Sequence, residues 1–265
     1  MRNLILIDGS YYIFYRFYAI MIWWKNAHKN DPLGEPIDNK LFVEKYKHTF
    51  ITKIKDLIKK LKIDNPEIIY FKDCPRENIW RSKLFPKYKQ NRNYDDFKGG
   101  PFFELTYNTD LLKNAGINRV ISYDTLEADD CIAITAKKLL DNPENIIYII
   151  TSDMDYLQLA HERIHIYNLK YKKLTDSKKW SGNPEQDLFC KIVMGDKSDN
   201  IPSVFKKCGP KTALKYWNNK ELFFNKLNND IDAQNQNKLN KKIIDFNEIP
   251  NELVDNFNTI CCINY

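Results

Sequence analysis

IIYIITSDMD, residues 146–155, carries six β-branched or aromatic residues straight into Asp153 and Asp155. It is the strongest strand signal in the chain, with its acids at the carboxyl end. The same pattern recurs upstream. Leu4–Ile7 is an apolar run that stops at Asp8-Gly9-Ser10, and Ile68–Phe71 is another, with Asp73 just beyond it. Between them, after a polar loop at 25–40, Val43, Tyr46, Phe50, Ile54, Leu57, Ile58 and Leu61 fall on one face of a helix. Residues 117–121 read as extended, and Thr125 is placed to cap a helix whose first turn holds Glu127, Asp129 and Asp130. Alternating β and α segments predict an α/β fold with a mostly parallel sheet flanked by helices. Such sheets bind ligands outside the carboxyl ends of their strands, where this chain delivers acid three times.

The rest of the composition narrows the class. With 265 residues, 43% hydrophobic and 29% charged, the chain has material for a large core, which excludes disorder and fibrous repeats. No run approaches the ~20 apolar residues of a membrane span, and Asp8 interrupts the N-terminus too early for a signal peptide. The expectation is an intracellular protein, in the cytoplasm, a nucleus or a viral replication site. The six cysteines show no CxxC pair, and adjacent Cys261 and Cys262 are read as ordinary thiols. Beyond about Ser181 the strand signal fades into short helices, and the Asn/Lys-rich stretch 218–242 reads as surface without a packed periodicity.

Nine acids stand at strand ends, in the EADD turn and in the later GDKSDN motif: Asp8, Asp73, Glu127, Asp129, Asp130, Asp153, Asp155, Asp196 and Asp199. Converging carboxylates cannot all stay ionised without a counter-charge, and an all-oxygen set suits Mg²⁺, with Mn²⁺ as a substitute. Their number suggests two or more ions, the usual device for in-line displacement at phosphorus. Each motif alone has a plainer reading as a helix cap or turn; their conjunction with a basic segment favours a site. From Arg76 to Arg92 six basic residues, among them Arg81, Lys83, Lys89 and Arg92, face one acid, so a net +5 of the chain's +6 lies there. That is the footprint of a phosphate-binding surface. Lys89 and Arg92 are one helical turn apart, so a helix would let them clamp a scissile phosphate while Tyr88 stacks on an unpaired base. Gly209-Pro210-Lys211-Thr212 reads as a helix start that offers backbone N–H groups to a second phosphate.

These stretches resemble the 5′-nuclease family of flap endonucleases, bacteriophage 5′-3′ exonucleases and the nuclease domain of bacterial DNA polymerase I. The resemblance is carried in order by LILIDGSYYIFYRFYA, IWRSKLFPKYKQNR, TLEADD, IITSDMDYLQL and VMGDKSDNIPSVFKKCGPKTALKYW, from about residue 3 to residue 217. It implies a PIN-like, Rossmann-like catalytic domain over 1–185, including an arch at about 76–115, and a helical duplex-binding region of helix-hairpin-helix type over 186–265. It implies Mg²⁺-dependent hydrolysis of DNA near single-strand/duplex junctions: a 5′ flap, a nick or a 5′ single-stranded end. Asp8, Asp73, Glu127, Asp129, Asp130 and Asp153 match the first metal cluster, and Asp155, Asp196 and Asp199 the second. Lys89, Arg92 and Asp153 would be catalytic. DNA contacts would come from Arg81, Lys83, Tyr88, Lys89, Arg92, Lys206, Lys207, Gly209, Lys211 and Thr212. The family also implies K⁺ at the hairpin, although its Gly-Ile-Gly reads Lys207-Cys208-Gly209 here, with one extra residue before it.

Other readings stay open at this level: a junction-binding module without catalysis, or a nuclease that prefers RNA. A monomer is expected, working alone or with a DNA polymerase or ligase. His161-Glu162-Arg163-Ile164-His165 is formally a zinc-protease motif with Glu185 as a third ligand. The alternation of Ile164, Ile166 and Leu169 with polar residues reads as a strand, which would split the two imidazoles. Tyr11, Tyr12, Trp23 and Trp24 read as core or arch-packing aromatics.

Overall fold

In the computed structural model, which describes residues 2–93 and 95–261, β1 (Arg2–Asp8) is the central strand of the sheet. It pairs in parallel with β2 (Glu67–Phe71) on one side and β4 (Asn145–Ile150) on the other. β3 (Arg119–Ile121) and β5 (Ile164–Tyr167) close the edges, also in parallel, giving the order β3-β2-β1-β4-β5. Alternation along β1 sends Leu4 and Leu6 into one core and Ile5 and Ile7 into another, so it is apolar throughout because both faces are covered.

One face is covered by α1 (Gly9–Ala27), α2 (Lys40–Leu61), α4 (Gly100–Tyr107) and α5 (Leu111–Asn114), the other by α6 (Ala128–Leu139). A single-turn α3 (Trp80–Leu84) lies between β2 and α4. The chain turns from β1 into α1 so tightly that a Cβ on Gly9 would sit 2.3 Å from the Phe71 carbonyl oxygen and 2.4 Å from the Tyr70 ring. Glycine is therefore required where the first acid leaves the sheet.

The helical region comprises α7 (Pro184–Met194), α8 (Pro210–Asn218), α9 (Lys220–Asn228), α10 (Ile231–Ile244) and α11 (Asn251–Ile260). Three expectations change. The cap of α6 is Glu127, paired with Asp130 in a capping box, whereas Thr125 accepts the Trp80 N–H through its carbonyl at 3.1 Å. Residues 218–242 are mostly exposed, as expected of surface, but they do carry a packed periodicity: Phe223, Leu227, Ala233 and Asn240 are buried in α9 and α10. Finally, Phe246, Ile249 and Phe257 return to the core of the sheet beneath α6, so the last helix packs on the α/β unit. Cys262 lies outside the described residues, and the cysteines within them are free thiols. Among the described residues no helix is long and apolar enough to cross a membrane.

Candidate active site

Three strands end side by side, and their acids meet. Asp8 caps α1, accepting the Tyr11 N–H at 3.0 Å and the Thr151 hydroxyl at 3.1 Å. Asp73 accepts Ser10 Oγ and, at 2.7 Å, the Ala128 N–H, which fixes the start of α6 over the end of β2. Asp153 follows β4, is exposed, and accepts the Asp155 N–H at 2.9 Å. Burial pushes Asp8 up to about 7, with the Asp73 carboxylate adding to it. Burial also lifts Asp129 well above the usual carboxylate range, reinforced by Glu127 and Asp130. This crowding is what a divalent cation relieves, and the donors are all oxygen, so the residues fit Mg²⁺ or Mn²⁺. Glu127, Asp129 and Asp130 each offer a carboxylate oxygen within 4.8 Å of the others.

Cations of the chain already occupy part of this ring. Arg81, only 2% exposed, donates to both oxygens of Asp130 at 2.6 Å, to Glu127 at 3.1 Å and through Nε to the Ile243 carbonyl at 2.7 Å. Trp80 Nε1 adds a bond to Asp130 at 2.9 Å. Arg81 is thus a buried counter-charge and not the surface DNA contact expected from sequence. Tyr88 is likewise buried, its hydroxyl donating to Glu127 at 3.0 Å, so its ring is not presented to a base. Lys89 reaches Glu127 at 2.5 Å and lies 3.9 Å from Asp199. Burial would raise the Glu127 pKa, but Lys89 and Arg81 hold it below the usual range.

Lys89 and Arg92 do share a destination, though not a helix face. Residues 85–93 are irregular, with turns over 86–91, and Lys89 has φ +55°, in the left-handed region. The strap lies across the GDKSDN loop: the Lys89 N–H donates to the Asp199 carbonyl at 2.9 Å, Asn91 to the Lys197 carbonyl at 2.8 Å, and Asn200 to the Lys87 carbonyl at 2.8 Å. Arg92 pairs with the Asp199 carboxylate. Gly195, at φ +69°, makes this loop: a Cβ there would meet the Ile201 carbonyl at 2.3 Å.

The second acid group holds a residue that the sequence reading missed. Lys191 of α7 bridges Asp155 and, at 2.9 Å, Asp196. Burial pushes Asp155 up to about 6 despite that lysine; for Asp196 burial is outweighed by Lys191 and Ser198, which hold it at about 2. Its signal was available: a lone lysine one helix end before an acidic loop in KIVMGDKSDN. Asp129, Asp153, Asp155, Asp196 and Asp199 line one cleft together with Lys89 and Lys191.

Of the other expected contacts, Lys83, Lys206, Lys207 and Lys211 are exposed and Thr212 is half-buried. α8 starts at Pro210 after Gly209 with no side-chain cap, which leaves an end suited to an anion. In the HExxH stretch, His161 precedes β5 and His165 lies within it against Tyr148, so no helical zinc face exists there.

The family described as 5'-3' exonuclease, N-terminal resolvase-like domain, matches residues 3–183. A 5'-3' exonuclease of Buchnera aphidicola subsp. Acyrthosiphon pisum is 32% identical over 79% of this chain and 68% of its own. A protein named Ribonuclease H from Enterobacteria phage T4 is 32% identical over 64% of this chain and 57% of its own. Among solved structures, a bacteriophage T5 protein co-crystallised with metal ions superposes with TM-score 0.65 at 17% identity, covering 100% of both chains.

Proposed function

Because the chain belongs to the 5′-3′ exonuclease family, we propose that it is a metal-dependent nuclease that hydrolyses DNA phosphodiesters at single-strand/duplex junctions, leaving a 5′-phosphate and a 3′-hydroxyl. One observation carries the reading: five aspartates from three separate segments line one cleft beside Lys89. Turn chemistry at any single position does not bring that about.

Asp8, Asp73, Glu127, Asp129 and Asp153 would hold a first Mg²⁺, and Asp155, Asp196 and Asp199 a second. Bound divalent cation supplies Lewis acidity at phosphorus and lowers the pKa of water. The chain's own groups do the rest. Asp130 has both oxygens engaged by Arg81 and acts from behind the ligands, fixing Glu127 and the start of α6. Lys89 and Arg92 sit on carboxylates that cation would take over, so both are placed to turn to an arriving phosphate and offset its charge. The uncapped end of α8 and Lys206, Lys207 and Lys211 would grip duplex backbone, reading shape and not sequence. K⁺ at Lys207-Cys208-Gly209 belongs to the same proposal.

The test is cleavage of a 5′-labelled flap, its single strand and a nicked duplex, with Mg²⁺ and with EDTA, by the parent and Asp153→Asn. Cutting at the flap base that needs both metal and Asp153 is expected. Tight binding without cutting in Mg²⁺ or Mn²⁺ would convert the reading to a junction-binding module. The likeness to the phage T4 Ribonuclease H favours one added arm, an RNA primer annealed to DNA. Faster turnover there would make RNA the preferred strand.

A further inference from the structure

A cationic patch separate from the segment 76–92, where Arg81, Lys89 and Arg92 are paired with acids, is carried on the outside of the molecule. It lies after β5, in YNLKYKKLTDSKK, residues 167–179, where five lysines accompany one aspartate. Four of them, Lys170, Lys172, Lys178 and Lys179, are exposed, and among the described residues none of the five has a carboxylate within ion-pair distance. A run of lysines is ordinarily a solvated face, so charge alone decides nothing.

Shape and aromatic content decide more. The turn overhangs a groove of about 690 Å³ whose walls include Tyr167, Tyr171, Lys172 and Lys173. Ser152 and Met154, the two sequence neighbours of Asp153, contribute to its lining, which puts part of the groove wall next to the candidate metal site in the chain. It leaves on the β5 edge, whereas the Lys89 strap follows β2. The turn is built firmly. Asn168 accepts the N–H groups of Lys170 and Lys172 at 2.9 and 3.1 Å, and its own N–H donates to the Lys172 carbonyl at 3.0 Å. The Leu169 N–H donates to the Tyr11 hydroxyl at 3.1 Å, tying the turn to α1 near Asp8. Tyr171 occupies the left-handed position, φ +61°, where an aromatic costs about 1 kcal/mol that asparagine or glycine would largely avoid. Lysines interleaved with tyrosines along a groove are the chemistry of unpaired nucleic acid: charge tracks the backbone, and rings stack on bases that duplex DNA keeps hidden.

We propose that the 167–173 turn and its groove bind the single-stranded arm of the substrate as it leaves the acid cluster on the β5 side. This rests on the nuclease reading. The test measures affinity by fluorescence anisotropy in EDTA, over a range of salt, for a flap substrate and for the same nicked duplex without a flap. The variants are Lys170→Ala/Lys172→Ala and Tyr171→Asn, all at positions outside the acid cluster. The double variant should weaken flap binding about tenfold and lower the slope of log K against log salt by about 1.4, at ~0.7 for each single-strand phosphate that is no longer neutralised. Tyr171→Asn should weaken flap binding with the slope unchanged, and flapless duplex should change less than twofold in either case. Equal losses on both DNAs, or none on either, overturn the inference while parent cleavage in Mg²⁺ leaves the nuclease reading standing. A parent without metal-dependent cleavage overturns both.

Discussion

Asp8 sits where burial and the Asp73 carboxylate oppose its charge, and its pKa of about 7 states how strongly. The folded value is above the unfolded one, so between about pH 4 and 7 the folded state holds a proton that the unfolded chain has released. Stability from this group falls as pH rises through that window and is flat above it. Asp8→Asn in EDTA should therefore raise Tm at pH 8 by several degrees and change it little at pH 4, by scanning calorimetry; the same gain at both pH values would remove the charge argument. Arg81 works in the opposite sense, since it neutralises Glu127 and Asp130 inside the protein. Arg81→Leu strands the buried Asp130 carboxylate, with Lys89 and Tyr88 still on Glu127, and should cost about 3–5 kcal/mol in urea denaturation, far more than loss of an exposed DNA contact would. The acids were legible in sequence because each follows a strand or opens a helix. Arg81 and Tyr88 were not, because a basic segment looks the same whether its cations face solvent or carboxylates.

At the scale of elements, the alternation of strands and helices was legible because β1, β2 and β4 carry apolar runs and have an acid at the carboxyl end or within three residues beyond it. Helicity was over-read where charge spacing alone suggested it. Lys89 and Arg92 are three apart, yet they reach Glu127 and Asp199 through turns anchored to the GDKSDN loop. In α10 the error ran the other way. Asn240 belongs to a stretch whose Asn and Lys content resembles surface, but it is fully buried and donates at 2.8 Å to the carbonyls of Ile192 and Pro202, joining α7 to the loop before α8. No composition reveals that, since the partners are about 40 residues away. Asn240→Leu leaves the buried Ile192 carbonyl and the partly exposed Pro202 carbonyl without that donor and should destabilise the protein by about 1–3 kcal/mol, while a solvated asparagine would cost under about 0.5 kcal/mol. Because Pro202 closes the loop that carries Asp196 and Asp199, flap cleavage by this variant should fall further than its folded fraction does.

Across the whole molecule, the same sheet supports both the acid cluster and the end of the helical region. A boundary at 185/186 suits the sequence, in which strand signals stop there, but packing crosses it. Phe246, Ile249 and Phe257 lie in one core with β1, β4 and α6, and Phe257 meets the Tyr123 ring at 6.0 Å between centroids. Arg81 adds a polar link through the Ile243 carbonyl, and Gln158 another through the Ile244 carbonyl at 3.0 Å. Elements joined this way have no low-energy route to separate unfolding, because opening α10 and α11 uncovers the floor of the acid site. Equilibrium unfolding in urea should therefore show one transition, coincident by far-ultraviolet circular dichroism and by tryptophan fluorescence, to which Trp217 in α8 contributes from the helical side. Phe257→Ala should move that single transition by about 3–5 kcal/mol, as much as Phe50→Ala on the opposite face of the sheet, both side chains being fully buried. Two transitions, with Phe257→Ala shifting only the earlier, would mean that the helical region folds on its own terms. The acid cleft would then be assembled by docking, and its Asp196 and Asp199 would be lost under denaturant before Asp8 and Asp153.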